Sequence, residues 1–597
     1  MVERNSYEPY DMRQLVACAM GRAPADLVIR GGRWVCVQSG EVIPNTDVAV
    51  INGRIAYVGP DALHTIGPET RVIEAEGRYL VPGLLDAHMH VESGMLTVTE
   101  FVRAVIPHGT TGMFVDPHEI ANVLGLRGVR LMVDEALLQP IHVWVQVPSC
   151  VPSAPGLETS GAQIGPDEIA EAMTWPGIIG LGEMMNYPGV YNGDEHVHAE
   201  IAITRAMNKV VGGHYPSLDL DLPFHGYAAG GPQDDHEGTR LEDAVARVRQ
   251  GMRVMMRYGS AWHDVAEQVR AVTEGRLDPR NFLLCTDDSH SATLVGQGHM
   301  DRVIRHVIAQ GVPPVTAIQM ATINTAEHFG LSRDIGMIAP GRYADIVLVR
   351  DLANFQADMV IAKGQVLAEA GELLVDLPEV SYPEWAVNTV KLKHRLAAAD
   401  FSLRSHKNSP VTANVIGIVE NQAPTRHLKL AVEVQNGEVR LEPGCDLAKV
   451  AHIERHKGTG GVQLALVQGF GFTEPCAVAS TVAHDSHHMI VVGTDDGCMA
   501  AAANRLAEIG GGQVVVLREE VIGQVDLPIA GLISNERAGE VARKAESVLE
   551  GFRACGCTLN NPNMQLSLLG LVVIPDLRIS DKGLVDVNNF CVLSVLE

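Results

Sequence analysis

LLDAHMHVES, residues 84–93, completes the apolar run VPGLLDA and ends it on two histidines one residue apart, His88 and His90. Side chains along a strand alternate with a period of two, so both imidazoles point to one side of a sheet. Asp86 stands before them and Glu92 after. Taken alone, the pair fits two partly buried histidines in a turn as well as it fits a metal site. Partners elsewhere in the chain decide.

Working outward, apolar strand candidates keep ending in polar clusters. They are FVDPHE (114–119), HVWVQVPSC (142–150), IIGLGEMM (178–185), VVGGHY (210–215), GGPQDDHEG (230–238), RVMMRYGS (253–260) and FLLCTDDSH (282–290). Helix-like stretches lie between most of them, among them VTEFVRAVIPHG, AEIAITRAMNK and HMDRVIRHVIAQ. Eight strands alternating with helices over about 250 residues predict a (β/α)8 barrel. A doubly wound sheet competes, but no GxGxxG follows the first strand.

Glycine-broken strands flank this segment at 25–80 and again at 336–375, with an Asn52-Gly53 hairpin signal. They predict one small β-sandwich split by the inserted barrel. Past EWAVNTVKLKHRLAAAD, read as a helical linker, a C-terminal α+β region begins with LKLAVEVQNGEVRL, GVQLALVQGF and DGCMAAAANRLAEIGGGQVVVL. The expected division is 1–82 (N-terminal segment and first sandwich part), 83–334 (barrel), 335–380 (second sandwich part) and 381–597 (linker and C-terminal domain).

The net charge of −26 repels phosphate backbones, so nucleic acid is not an expected partner. No signal peptide is visible, and no apolar run nears the roughly 20 residues that span a bilayer. Ten scattered cysteines without a CxxC fit reduced thiols in a cytoplasm.

In a barrel the chemistry collects at the C-terminal ends of the strands. Those ends carry His88, His90, Asp116, His118, Glu119, Glu183, His214, His236, Asp287 and Asp288. Four histidines with Glu183 and Asp287 suffice for two divalent ions if one group bridges. The His-x-Glu spacing from His90 to Glu92 also occurs in zinc deaminases that need Pro-Cys-x-x-Cys; PCAVAS (475–480) has Ala479 where the second cysteine belongs, which rejects that class.

VPGLLDAHMHVE, the histidines after the fifth and sixth strands, CTDD after the eighth and the closing IAPGRYADIVLV resemble the amidohydrolase superfamily over residues 25 to about 375. HMHVES, DPHEI, VPSCVPS, GEMMNYPG, CTDD and the C-terminal HDSHH resemble the adenine deaminase family, which extends the likeness to nearly the whole chain. The resemblance implies that His88 and His90 bind one metal beside Asp287, and that His214 and His236 bind a second. Many relatives carry a carboxylated lysine on the fourth strand; GLGEMM has none, so Glu183 is the implied bridge. Imidazoles with carboxylates suit Mn²⁺ or Fe²⁺ at least as well as Zn²⁺.

The implied reaction is hydrolysis of adenine to hypoxanthine and ammonia. Proton carriers are sought among Glu92, Glu119, Asp116, Asp287 and Asp288. Asp287 is expected to take a proton from the attacking water, and Glu92 or Glu119 to give one to the base. His118 reads as a further ligand, a substrate contact or a histidine held by second-layer carboxylates; Asp288 reads as a substrate contact or a helix cap. Asp116, His118, Ser486 and His487 are the expected substrate contacts. HDSHH with the glycine-rich LVQGFGF is expected to line a lid, against an alternative of an oligomerisation module, and a homo-oligomer, a dimer first, is the expected assembly. Two other functions compete: amide hydrolysis, as in amino-sugar deacetylases, and an inactive scaffold. Few basic residues at the strand ends speak against a phosphorylated sugar.

Overall fold

Eight parallel strands form the centre of the computed structural model, which describes residues 11–597 apart from 261, 408, 421, 442 and 443. They are β1 (Leu84–His90), β2 (Thr110–Val115), β3 (His142–Val147), β4 (Ile178–Met184), β5 (Val210–Gly213), β6 (Asp234–Asp235), β7 (Arg253–Arg257) and β8 (Phe282–Cys285). β1 to β5 pair in sequence, as do β6 to β8. The ring closes twice. The Gln233 amide donates to the Val211 carbonyl at 2.9 Å, and Asp287–Asp288, beyond β8, pair with Met89–His90. This is the expected barrel, with helices such as Val98–Val105, Glu195–Ala206 and Met300–Ala309 between its strands.

Inside the ring Leu85, Ala87, Phe114, Trp144, Ile179, Met255 and Leu283 make one apolar cluster. Phe329 plugs it from the N-terminal side, stacked on Phe114 at 3.8 Å. Packing therefore fills the lower barrel and leaves the C-terminal ends for polar groups.

The β pieces on either side of the barrel are one nine-stranded sheet. Tyr79–Pro82, the last strand before the barrel, pairs antiparallel with Ile346–Val349 after it. Leu27, Ile29 and Val48 from the first piece share a core with Ile346, Met359 and Ile361 from the second. The Asn52-Gly53 hairpin is present, with φ of 49° and 73°, the positive pair that a tight two-residue turn requires.

The C-terminal region holds a second nine-stranded sheet. Alternation assigns its faces: Ala477, Ala479 and Val491 pack on helix Asp496–Ile509, whereas Val478, Ile490 and Val492 belong to the core that continues into the barrel helices. Helix Ala538–Ala554 covers that inner side and lies against helix Ser291–Gly296 of the barrel.

The linker corrects an expectation. Between the single turns Glu384–Ala386 and Ala398–Phe401 it is extended, not helical. Val390, Leu392 and Leu396 lay alternate apolar side chains on the C-terminal core, and the Lys391 amide donates to the Arg455 carbonyl at 2.8 Å. Tertiary burial outweighs the helix propensity of its Lys, Leu and Ala residues. All ten cysteines are free, and no helix among the described residues is long and apolar enough to cross a membrane.

Candidate metal centre and its cavity

β1 reaches the centre through an irregularity. Its pairing with β2 shifts register between Asp86 and Met89, so His88 follows Ala87 onto the inner side and His90 stays there with it. Asp86 faces the other way. Its carboxylate accepts from the Thr286 amide at 3.0 Å and the Thr286 hydroxyl at 2.6 Å, and meets His299 at the start of helix Met300–Ala309. It thereby anchors the residue before Asp287, which itself takes φ +58°, a conformation that non-glycine residues hold mainly under functional constraint.

Glu183 sits at the middle. Its Oε1 lies 3.4 Å from His88 Nε2, 3.1 Å from His90 Nε2 and 3.4 Å from His118 Nδ1. Its Oε2 lies 2.6 Å from His214 Nδ1 and 3.5 Å from His236 Nε2. One oxygen thus serves each histidine pair. Asp287 Oδ1 stands 3.1 Å from His90 Nε2 and 3.8 Å from His88 Nε2. All six expected ligands converge.

The donor set fits divalent cations. His88 Nε2 and His90 Nε2 are 3.1 Å apart, a separation at which two nitrogens must share a cation or a single proton. Burial opposes charge on the imidazoles, yet Glu119, Asp287 and Glu183 hold His90 well above the ordinary histidine range, and Glu183 lifts His236 to about 9. Burial likewise pushes both carboxylates up, but the nearby His236, His118 and His214 hold Glu183 well below its usual range. His90 and Arg257 do the same for Asp287. The field that keeps protons on these nitrogens favours a metal cation in the same place. Buried His214 Nε2 and both nitrogens of His118 have no hydrogen-bond partner.

Asp116 lies behind this layer rather than at the substrate. It is fully buried, its Oδ2 accepts from the Glu183 amide at 2.7 Å, and its carbonyl accepts from His90 Nδ1 at 2.8 Å. Gly182 makes room for it, because a Cβ there would stand 2.2 Å from Asp116 Oδ2.

Above the centre opens a cavity of about 680 Å³, lined by His118, Glu119, Asp287 and Asp288 from the barrel and by the C-terminal region over much of its roof. Trp262 packs with Met564, Leu568, Leu571 and Ile574 across the two parts, giving an apolar slot. Asp288 accepts from Trp262 Nε1 at 3.1 Å and from the Ser93 hydroxyl, which orients it toward the cavity. It does not cap helix Ser291–Gly296, whose N-cap is His290. Glu92 stands behind Glu119, and burial first, then Glu119, pushes its carboxyl up to about 8.

HDSHH reaches the cavity through other residues than those expected. His484 and Asp485 line it, with Asp485 Oδ1 3.7 Å from His118 Nε2. Ser486 and His487 are buried behind them: the Ser486 carbonyl meets His456 Nε2 at 2.8 Å, and the His487 carbonyl accepts from Arg455. LVQGFGF is not at the mouth; Phe470 and Phe472 are buried against Phe552. Arg257, Glu237 and Trp262 were not singled out from sequence. The signal for Arg257 was an arginine closing the apolar strand RVMM. Its guanidinium is committed to Glu237, Asp264 and Asp287, so among the described residues the mouth offers no free lysine or arginine for a phosphate.

The chain matches the Amidohydrolase family over residues 79–367 and the adenine deaminase C-terminal domain over residues 422–591. It is 61% identical over 577 residues to adenine deaminase 3 of Rhizobium meliloti, covering 97% of each chain. It is 62% identical to the adenine deaminase of Mesorhizobium japonicum, over 96% of this chain and 95% of that one. The adenine deaminase of Moorella thermoacetica is 50% identical over 98% of both.

Proposed function

The chain belongs to the adenine deaminase family, and from that premise we propose that it hydrolyses adenine to hypoxanthine and ammonia at the barrel mouth, with two divalent ions held by the histidine pairs. His88 and His90 would hold one with Asp287 beside them, and His214 and His236 the other, with Glu183 placed to serve both. The observation that carries this reading is the Glu183 carboxylate, one oxygen to each pair. Imidazole and carboxylate donors without a thiolate suit Mn²⁺ or Fe²⁺ at least as well as Zn²⁺. When bound, such ions lower the pKa of water from about 16 toward 7.

The remaining steps fall to side chains. Asp287, held ionised by His90 and Arg257, takes a proton from the attacking water. Glu119 faces the cavity with no hydrogen bond at Oε2 and protonates the ring nitrogen, with Glu92 behind it as the proton store. Asp288, fixed by Ser93 and Trp262, accepts a purine N–H, and the apolar slot between Trp262 and Met564 takes the flat ring. A barrel mouth without an uncommitted lysine or arginine among the described residues supports a neutral purine over a phosphorylated amino sugar.

Ammonia release from adenine after reconstitution with Mn²⁺, Fe²⁺ or Zn²⁺ tests this reading, with adenosine as competitor. The expected result is turnover of adenine at two ions per chain, highest with Mn²⁺ or Fe²⁺. A higher kcat/KM for adenosine overturns the free-base assignment, and one ion per chain overturns the bridge.

A further inference from the structure

Behind the main cavity lies a second of about 100 Å³. Glu119, His484 and Met564 stand in the walls of both, so the smaller space begins where the reaction centre ends. From Glu92 it extends to helix Ala538–Ala554, where Glu546 is exposed to solvent.

The buried side-chain atoms of its wall that lack a hydrogen-bond partner are all oxygens: Glu92 Oε2, Glu119 Oε2, Gln513 Oε1, Asn563 Oδ1 and Ser567 Oγ. Gln513 and Ser567 are only 3% and 4% exposed. No lysine or arginine lines it among the described residues. Buried acceptors left unmade are costly, so such a wall calls for a small species rich in donors. Water brings two donors; an ammonium ion brings four, together with a charge that neighbouring carboxylates strengthen.

We propose that this second cavity binds ammonium and is the path by which the nitrogen product leaves, separate from the purine. The inference rests on the deamination reading: the bond from the ring carbon to the exocyclic nitrogen breaks, ammonia departs with the electron pair and takes up a proton, and the cation formed is the ligand. Hypoxanthine returns through the wide mouth. Two products with two exits inhibit differently. Ammonium is noncompetitive with adenine, whereas hypoxanthine competes with it.

Thallous ion, a monovalent stand-in for ammonium, gives a readout independent of turnover. Crystals of the metal-loaded full chain soaked in a thallium(I) salt show anomalous density beside Gln513 and Ser567 if the proposal holds; water alone in that space overturns it. This outcome stands whether or not adenine is the substrate, so the two readings fail separately. In kinetics, Gln513→Leu and Ser567→Ala each raise the inhibition constant for ammonium at least about tenfold, as expected for an acceptor lost from a charged ligand. KM for adenine and the inhibition constant for hypoxanthine stay unchanged. An unaltered ammonium constant, or ammonium competitive with adenine, overturns the separate path. Should either variant fail to fold, the thallium experiment on the natural chain still decides.

Discussion

Exchanging Glu183 for glutamine keeps the side chain's shape and removes the charge whose two oxygens each serve one histidine pair. Metal content is expected to fall below two ions per chain, and kcat/KM for adenine by at least about a hundredfold. Elemental analysis beside kinetics checks this, and full occupancy with normal turnover would show that another group bridges. A different residue reports on pH. Glu158 is buried, its Oε1 accepts from the Ser153 hydroxyl at 2.7 Å, and burial, then Asp485, pushes its carboxyl up to about 8. The folded chain thus keeps a proton that the unfolded chain loses from about pH 4.5 upward. Its contribution to stability is complete below that point, shrinks as pH rises to about 8 and is level beyond. Glu158→Gln should flatten the fall in urea midpoint between pH 5 and 8, and an unchanged slope would remove Glu158 as its source. The convergence of His88, His90, Glu183, His214, His236 and Asp287 was legible because each closes a strand, where chain position dictates place. Ser486 and His487 were misassigned for the opposite reason: which residues of a loop face a cavity depends on Arg455 and His456 holding the others behind it, and adjacency in sequence does not carry that.

At the scale of elements, the barrel was legible from the alternation of strands and helices. The register shift in β1 was not, since a bulge leaves the composition of LLDAHMH unchanged while turning Asp86 to the helix side. The linker shows a similar limit, because local propensity speaks for a helix and the exposed flank of the C-terminal core takes the chain extended. β4 carries a testable dependence on its neighbour. Gly182 lets Asp116 pass beneath the strand to hold the Glu183 amide, and Gly182→Ala places a methyl 2.2 Å from the Asp116 carboxylate. The Asp116–Glu183 bond should break, at a cost of about 1–3 kcal/mol for a buried polar group left unpaired. Lower Tm together with reduced metal content is the expected outcome. A lower Tm with metal content intact would show that Glu183 keeps its position without Asp116.

For the whole molecule, the C-terminal region roofs the cavity of its own chain. Its contacts with the barrel run along two seams. At one, Asp581 accepts from the Thr159 amide and hydroxyl, both at 2.8 Å, and His488 Nε2 meets the Thr159 carbonyl at 2.9 Å. At the other, the Ser534 amide donates to the Met95 carbonyl at 2.9 Å, and Arg537 pairs with Glu100 at 2.7 Å. Between the seams the apolar core is continuous from Phe101 and Leu294 to Val541 and Phe552. A chain ending at residue 395 keeps every proposed metal ligand but exposes that core and loses His484, Asp485 and Met564 from the cavity wall. Reduced solubility is therefore expected, and the soluble fraction should bind metal while losing at least about a hundredfold in kcat/KM, because water enters a site built to exclude it. An oligomerisation module would behave otherwise, since a partner supplies what the shortened chain lacks. Mixing the shortened chain with full-length Glu183→Gln protein separates the two. With the roof supplied in the same chain, activity stays lost in the mixture and the specific activity of the natural chain is constant on dilution. Recovery of turnover on mixing would place the roof in a neighbouring subunit.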